Sequence, residues 1–272
     1  MSQILLIIPC YNEASRLNLE LFKTYHDRLD TKNIDFVFAN DGSKDGTSEL
    51  IRSYISKHRL QANWFVFDNP KNTGKAGVIY NAYHWSKKHI PSINSTANTV
   101  AVDFQKRMTI ENVGNVVPTL YDWYGYWDAD LATPLFEIQN MIRFRELFYA
   151  RKEVVFASRI LRMGSQIVRK PTRHYLGRLF ATVADLMLNI GSYDSQCGAK
   201  IMSRYMAEKA FAEPFISGWI FDIEIMLRVG ENNITEYPLV EWVDVPGSKV
   251  KIYREAFRIL KELFLIKRKY NR

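Results

Sequence analysis

The sequence Ile4-Leu5-Leu6-Ile7-Ile8-Pro9-Cys10-Tyr11-Asn12-Glu13 opens with five consecutive apolar residues and continues into a polar segment. An uninterrupted apolar run of this length is typical of a strand that is buried on both faces of a parallel sheet. Four similar runs follow at 34–39, 64–67, 124–127 and 154–157. Between them lie segments with helical periodicity, at about 14–29, 46–59, 75–89 and 134–149.

This alternation of strands and helices predicts an α/β fold, with right-handed crossovers and a mostly parallel central sheet flanked by helices. Ligands of such sheets bind beyond the carboxyl ends of the strands. The polar segments 9–13, 41–47 and 128–134 each follow a predicted strand. We therefore expect all three at one edge of the sheet.

We assign residues 1–250 to this α/β domain, with an insertion at 91–123 that breaks the rhythm of strands and helices. Residues 251–272 form a basic amphipathic helix, and a second basic and apolar helix is predicted at 175–190. Two such helices favour a role at an anionic membrane surface. The alternatives are that both helices pack on the domain or form the seam of a homodimer.

Composition narrows the class of partner. The 272 residues carry a net charge of +8, which favours an anionic partner such as a nucleotide, a nucleic acid or a phospholipid surface. The two cysteines are too few for a disulfide framework and fit a reducing cytoplasm. No stretch reaches the roughly 18 apolar residues that a spanning helix needs, so contact with the inner face of the cell membrane would be peripheral.

Asp128 and Asp130 are the most informative polar residues of the chain. Because alternate residues of a strand point to the same side, two carboxylates at this spacing make a ligand for a hard cation. The expected metal is Mg²⁺ or Mn²⁺, also held by substrate phosphates. Taken alone, Asp-Ala-Asp is more typical of a solvated turn after a strand, and the earlier block at 41–47 is what favours the metal site.

The other loops at this edge carry residues suited to a nucleotide. After Pro9, Tyr11 offers a flat face to a base, and Glu13 can accept hydrogen bonds from ribose hydroxyls. Asn12 or Glu13 equally fits the start of a helix. Asp41 can accept the imide N–H of uracil, and Lys75, beside a helix start, can reach a diphosphate.

The blocks Pro-Cys-Tyr-Asn-Glu, Asn-Asp-Gly-Ser-Lys-Asp-Gly-Thr, Asn-Thr-Gly-Lys and Asp-Ala-Asp together resemble the family 2 inverting glycosyltransferases, which have the GT-A fold. The downstream blocks at 157–159, 193–200, 218–224, 236–239 and 246–250 resemble the dolichyl-phosphate β-glucosyltransferase branch. The chain departs from that pattern at Asn40, Ser195 and Ala199. Ala199 replaces an aromatic residue of the family, so the acceptor or sugar pocket of this chain need not match that of the family.

The resemblance implies further roles. Asp222 matches the position of the family's base, Arg159 adds to the stabilisation of the leaving diphosphate, and Gln196 contacts the sugar or diphosphate. Asn12 and Pro9 belong to the nucleotide-sugar site. Three basic residues are expected to bind an acceptor phosphate: Arg169, Arg173 and Lys249.

We therefore expect metal-dependent, inverting transfer of a sugar, most simply glucose, from a UDP-sugar to a polyprenyl phosphate. One alternative acceptor is a glycan hydroxyl in capsule or lipopolysaccharide synthesis. A protein of another class would be non-catalytic and would bind nucleic acid or membrane through its positive charge. That class has no use for Asp41, Asp128 and Asp130, so no nucleic-acid partner is expected.

Overall fold

The structure is a computed structural model, and it describes residues 3–28, 33–90, 121–168, 171–244 and 252–270. Only the backbone is described for residues 171–176 and 252–257. The strands are β1 (Ile4–Cys10), β2 (Ile34–Asn40), β3 (Trp64–Asp68), β4 (Trp123–Trp127), β5 (Val154–Ser158), β6 (Gln166–Val168), β7 (Ala199–Ser203), β8 (Ile234–Pro238) and β9 (Glu241–Val243). The helices are α1 (Leu19–Arg28), α2 (Thr47–His58), α3 (Gly74–His89), α4 (Glu137–Phe148), α5 (Pro171–Leu188), α6 (Arg204–Ala210), α7 (Phe221–Val229) and α8 (Ile252–Tyr270).

Seven strands form one sheet in the order β3-β2-β1-β4-β7-β5-β8, and β6 pairs with β9 in a small parallel ribbon. Every pairing in the large sheet is parallel except those of β7, which runs antiparallel to both β4 and β5. The predicted α/β class with a mostly parallel sheet is therefore confirmed. Because β7 is reversed, the chain enters it from the edge at which β4 and β5 end.

The strands are buried on both faces, as the apolar run of β1 predicts. Leu5 and Ile7 pack into the core under α3, α5, α6, α7 and α8, whereas Leu6 and Ile8 pack into the core under α1, α2 and α4. Helix α8 joins the first core through three buried side chains at helical spacing, Ile259, Leu263 and Ile266. Among the described residues, no helix has both the length and the apolar character needed to cross a membrane.

Two predicted boundaries need correction. The first helix begins at Leu19 rather than near residue 14, because Asn18 Oδ1 accepts the Leu21 N–H at 3.0 Å and caps the helix there. The predicted insertion at 91–123 extends too far, since Trp123 opens β4 and Tyr121 is buried with its hydroxyl donating to Asp35 Oδ2 at 2.6 Å. Residues 91–120 lie outside the described residues.

Candidate active site

A cavity of about 780 Å³ opens at the carboxyl edge of the sheet. Its walls come from the loops after β1, β2, β4 and β5, the loop before β7, and helices α3, α5, α7 and α8. It is lined by these predicted site residues: Pro9, Tyr11, Glu13, Asp41, Lys75, Asp128, Asp130, Arg159, Gln196 and Asp222. The topology thus brings together residues that are more than 200 positions apart in the sequence.

Asp128 and Asp130 lie in a turn directly after β4, not on the strand itself. Leu131 N–H donates to Asp128 O at 3.2 Å, and Ala132 N–H donates to Asp130 Oδ1 at 3.1 Å. The prediction that the two carboxylates point to the same side of a strand is therefore wrong, although both residues line the cavity. Burial and the charge of Asp128 together raise the pKa of Asp130.

Lys75 and Gly198 enclose the Asp128 carboxylate. Lys75 Nζ lies 2.6 Å from Asp128 Oδ1 and 5.8 Å from the centre of the Tyr126 ring. Burial opposes the charged form of Lys75, but the nearby carboxylates of Asp128 and Asp222 outweigh it and raise its pKa. On the other side, a Cβ on Gly198 would lie 1.8 Å from Asp128 Oδ2, so only glycine leaves room for the carboxylate in this position.

The two carboxylates do not complete a metal site by themselves. In the part of the chain that the structure describes, no group of three or more His, Cys, Asp or Glu side chains is arranged to hold a metal ion. A cation at Asp128 and Asp130 would need further oxygen ligands from substrate phosphates or water, as is usual for Mg²⁺.

Asp41 is buried and organises the loop before α3. Its Oδ1 accepts hydrogen bonds from Asn69 Nδ2 and the Thr73 N–H, both at 2.8 Å, and its Oδ2 accepts the Gly74 N–H at 2.7 Å. A carboxylate has about four acceptor positions, so Oδ2 retains capacity for one more donor. The predicted contact with uracil stays a prediction, now restricted to that oxygen.

In the loop after β1, some residues line the cavity and others hold neighbouring loops in place. Tyr11 lines the cavity with its side chain exposed, and Glu13 is buried with its carboxylate accepting from the Arg16 guanidinium. Asn12 does not line the cavity. Its Oδ1 accepts the Lys44 N–H at 2.9 Å, which braces the turn after β2, so its predicted nucleotide contact has no support from this geometry.

Arg159 follows β5 and forms a two-pronged ion pair with Asp194, a residue that sequence reasoning did not single out. Arg159 Nε lies 2.6 Å from Asp194 Oδ2, and Nη2 lies 2.7 Å from Oδ1. Burial opposes the ionised form of Asp194, but the Arg159 guanidinium outweighs it and lowers its pKa to about 2. The guanidinium also lies over the Trp242 ring at 5.3 Å and faces the cavity.

Asp222 stands at the start of α7, with a buried carboxylate that already has two partners. Lys200 Nζ lies 2.8 Å from Asp222 Oδ1, and the Tyr126 hydroxyl donates to the same oxygen. Lys200 belongs to the block at 193–200 on which the family resemblance rests, but nothing in the sequence pattern indicated that a lysine would be buried there.

Gln196 and Arg178 also line the cavity. The Nε2 of Gln196 is buried and has no hydrogen-bond partner among the described residues, so it is available to a ligand. Arg178 Nη1 donates to Tyr193 O at 2.9 Å. Of the predicted acceptor-phosphate residues, Arg169 and Lys249 lie outside the described residues, as does the side chain of Arg173.

Most of the cavity lining that comes from α5 and α8 is apolar. Helices α5 and α8 supply these lining residues: Leu179, Phe180, Ala181, Val183, Ile259, Leu260 and Leu263. The lining of the cavity therefore combines charged residues, among them Asp128, with an apolar wall from two helices.

Comparison with known proteins agrees with this geometry. Residues 5–90 match the family described as Glycosyl transferase family 2. The crystal structure of glucosyl-3-phosphoglycerate synthase from Mycobacterium tuberculosis, in complex with Mn²⁺, UDP-glucose and phosphoglyceric acid, superposes with a TM-score of 0.61 at 13% identity. The alignment covers 97% of this chain and 79% of that one. Residues 5–90 are therefore similar to Glycosyl transferase family 2, and the chain has the GT-A fold that it shares with the mycobacterial synthase.

Two curated relatives narrow the resemblance. A dolichyl-phosphate beta-glucosyltransferase of Trichomonas vaginalis is 27% identical over 90% of this chain, and one of Dictyostelium discoideum is 26% identical over 97%. The chain spans 65% and 73% of the length of these two relatives. The family resemblance predicted from the sequence is confirmed.

Proposed function

We propose that the protein transfers glucose from UDP-glucose to the phosphate of a polyprenyl phosphate, with inversion at the anomeric carbon. The observation that carries this proposal is the continuity of the cavity from the charged residues at the sheet edge to the apolar wall of α5 and α8. A nucleotide diphosphate suits the first end, and an isoprenoid chain suits the second. The names of the relatives support the same donor sugar and lipid acceptor.

Asp128 and Asp130 fit a hard divalent cation. Both carboxylates line the cavity, and the raised pKa of Asp130 reflects burial and a repulsion from Asp128 that a bound cation relieves. Mg²⁺ or Mn²⁺ held there would supply positive charge to the diphosphate leaving group. The Mn²⁺ in the mycobacterial synthase complex supports this choice.

In the proposed reaction, the bond between the anomeric carbon and the diphosphate oxygen breaks, and its electron pair leaves with UDP. An oxygen of the acceptor phosphate forms the new bond on the opposite face of the sugar, which inverts the configuration. The ammonium of Lys75 and the remaining donors of Arg159 favour the charge that develops on UDP, and they act more strongly in the transition state than in the ground state.

Docking at an anionic membrane surface would bring the lipid acceptor to this site. Phe264 and Leu186 are 62% and 81% exposed although α8 and α5 pack on the domain through their other faces. Lys261 and Arg268 are exposed on α8 beside this apolar surface. Basic residues near anionic lipid contribute about 1 kcal/mol each, which supports reversible peripheral binding on the cytoplasmic side.

A transfer assay tests the proposed reaction. Purified protein is incubated with radiolabelled UDP-glucose, Mn²⁺ and vesicles that contain a polyprenyl phosphate, and the label is measured in the organic and aqueous phases. Label in the organic phase supports the proposal. Label only in a supplied glycan acceptor would favour the hydroxyl acceptor instead, and no transfer to either would refute the proposal.

A sedimentation assay tests membrane docking. Wild-type protein should bind anionic vesicles at low salt and dissociate as salt rises, because the charges become screened. Phe264→Glu with Lys261→Glu should weaken binding. Phe148→Glu is the matched control, because Phe148 is 70% exposed at the end of α4, which packs on the other face of the sheet. Wild-type protein that stays in solution at low salt would contradict docking.

A further inference from the structure

Lys200 is a fully buried lysine in the middle of the sheet. It is the second residue of β7 and lies opposite Tyr126 on β4 and Phe156 on β5. Its Nζ lies 5.3 Å from the centre of the Tyr126 ring and 4.6 Å from that of Phe156. Removing an ammonium from water is costly, and a well-packed apolar residue usually serves the fold as well or better. The buried charge of Lys200 therefore indicates a role other than packing.

The ammonium of Lys200 connects two separate walls of the active site. It donates a hydrogen bond to the backbone carbonyl of Cys197, in the loop before β7, and it lies 2.8 Å from Asp222 Oδ1 at the start of α7. Lys200 itself does not line the cavity. Its contacts with the site therefore pass through its two partners.

Each partner carries a residue that faces the cavity. Cys197 stands between Gln196, whose Nε2 is buried and without a partner among the described residues, and Gly198, against which Asp128 packs. Asp222 lines the cavity at the base of α7. A shift at the Cys197 carbonyl would move Gly198 and release the space in which Asp128 is held.

We propose that Lys200 is a positioning residue that fixes the loop 194–198 and the Asp222 carboxylate relative to each other, and so sets the alignment of donor and acceptor. This proposal rests on the proposed function. A displacement of about 1 Å at a reacting centre costs on the order of 10²-fold in rate. The loss of Lys200 should therefore reduce kcat much more than it weakens the binding of UDP.

The test is a double-mutant cycle with Lys200→Met and Asp222→Asn, measured as kcat, as the Kd of UDP with Mn²⁺, and as hydrogen exchange of residues 194–198. Lys200→Met should lower kcat on the order of 10²-fold and leave the Kd of UDP within about threefold of wild type. It should also speed the exchange of 194–198. Lys87→Met is the matched control, since Lys87 pairs with Glu208 at 3.2 Å and lies 5.6 Å over the Tyr83 ring, but does not line the cavity.

The double variant separates positioning from charge balance. If Lys200 only neutralises Asp222, adding Lys200→Met to Asp222→Asn should cost nothing further, whereas loss of the Cys197 contact predicts an additional fall in kcat and faster exchange at 194–198. The double variant also leaves no unpaired buried charge, so it keeps the test valid if Lys200→Met alone does not fold.

The proposal is overturned if the double variant matches Asp222→Asn in both kcat and exchange, or if Lys200→Met turns over like wild type. Failure of the proposed function is a distinct result, in which wild-type protein transfers no glucose to lipid. The exchange measurement needs no substrate, so it still decides whether Lys200 holds the loop.

Discussion

Gly198→Ala should disable the enzyme through a single added methyl group. The new Cβ would lie 1.8 Å from Asp128 Oδ2 and 2.2 Å from Cγ. Non-bonded heavy atoms rest about 3.5–4.0 Å apart, so the carboxylate must move by roughly 2 Å. Asp128 faces the cavity and is 41% exposed, which gives it room to turn away without disturbing the core.

The expected loss follows from that displacement. A displacement of about 1 Å in an active site costs on the order of 10²-fold in rate, which corresponds to about 2.7 kcal/mol of transition-state stabilisation. The displacement also breaks the 2.6 Å contact between Lys75 Nζ and Asp128 Oδ1. We therefore expect kcat/KM to fall at least on the order of 10²-fold. The melting temperature should stay close to that of wild type.

The assay is glucose transfer to polyprenyl phosphate across a range of Mn²⁺ concentrations, with melting temperatures for each variant. Gly218→Ala is the control, because Gly218 lines the same cavity but a Cβ there meets no atom within 4 Å. The reasoning is refuted if Gly198→Ala turns over like wild type, or if Gly218→Ala is impaired as severely.

Three further results are expected. Asp130→Asn should abolish transfer at all Mg²⁺ and Mn²⁺ concentrations while the circular dichroism spectrum stays unchanged, and near-normal turnover would defeat its role at the metal. Because the Arg159 guanidinium lowers the pKa of Asp194 to about 2, the pair stabilises the fold above about pH 4, and this stability is lost as the pH falls towards 2. Arg159→Met should therefore remove about 2 kcal/mol of stability at pH 7 and flatten the dependence of unfolding free energy on pH between 4 and 2, which urea titrations measure. Asp41→Asn should place an amide NH2, a donor, against the Gly74 N–H and cost about 1–3 kcal/mol, and calorimetry should also show a weaker preference for UDP over GDP.

The sequence predicted the parts of the fold that depend on local pattern. Runs of apolar residues marked the buried strands because a strand covered on both faces needs no polar side, and the structure places those strands within a residue or two. The position of the site at one edge of the sheet was predicted from the rule that ligands of parallel sheets bind at the carboxyl ends of the strands. Asp41, Asp128 and Lys75 line the cavity for this reason.

What the sequence did not reveal depends on contacts between distant segments. The reversal of β7 has no local signature, since its apolar pattern is the same in either direction, yet it brings Gly198 against Asp128. The pairing of Arg159 with Asp194, and of Lys200 with Asp222, joins residues 35 and 22 positions apart, through a fold that periodicity cannot specify. For Asn12 the sequence misled in the other direction. Its polar side chain suggested a contact with the nucleotide, but its Oδ1 accepts a hydrogen bond from the turn after β2.

The surroundings of Asp222 bear on which acceptor the enzyme uses. Oδ1 of Asp222 accepts from the Tyr126 hydroxyl and lies 2.8 Å from Lys200 Nζ, so Oδ2 is the oxygen that would take a proton from an acceptor. A sugar hydroxyl needs a base before it can attack, whereas a phosphate monoester, with a second pKa of about 6, is already largely a dianion at neutral pH. A phosphate acceptor would therefore make no demand on Asp222 as a base, and this agrees with the proposed lipid phosphate independently of the apolar wall.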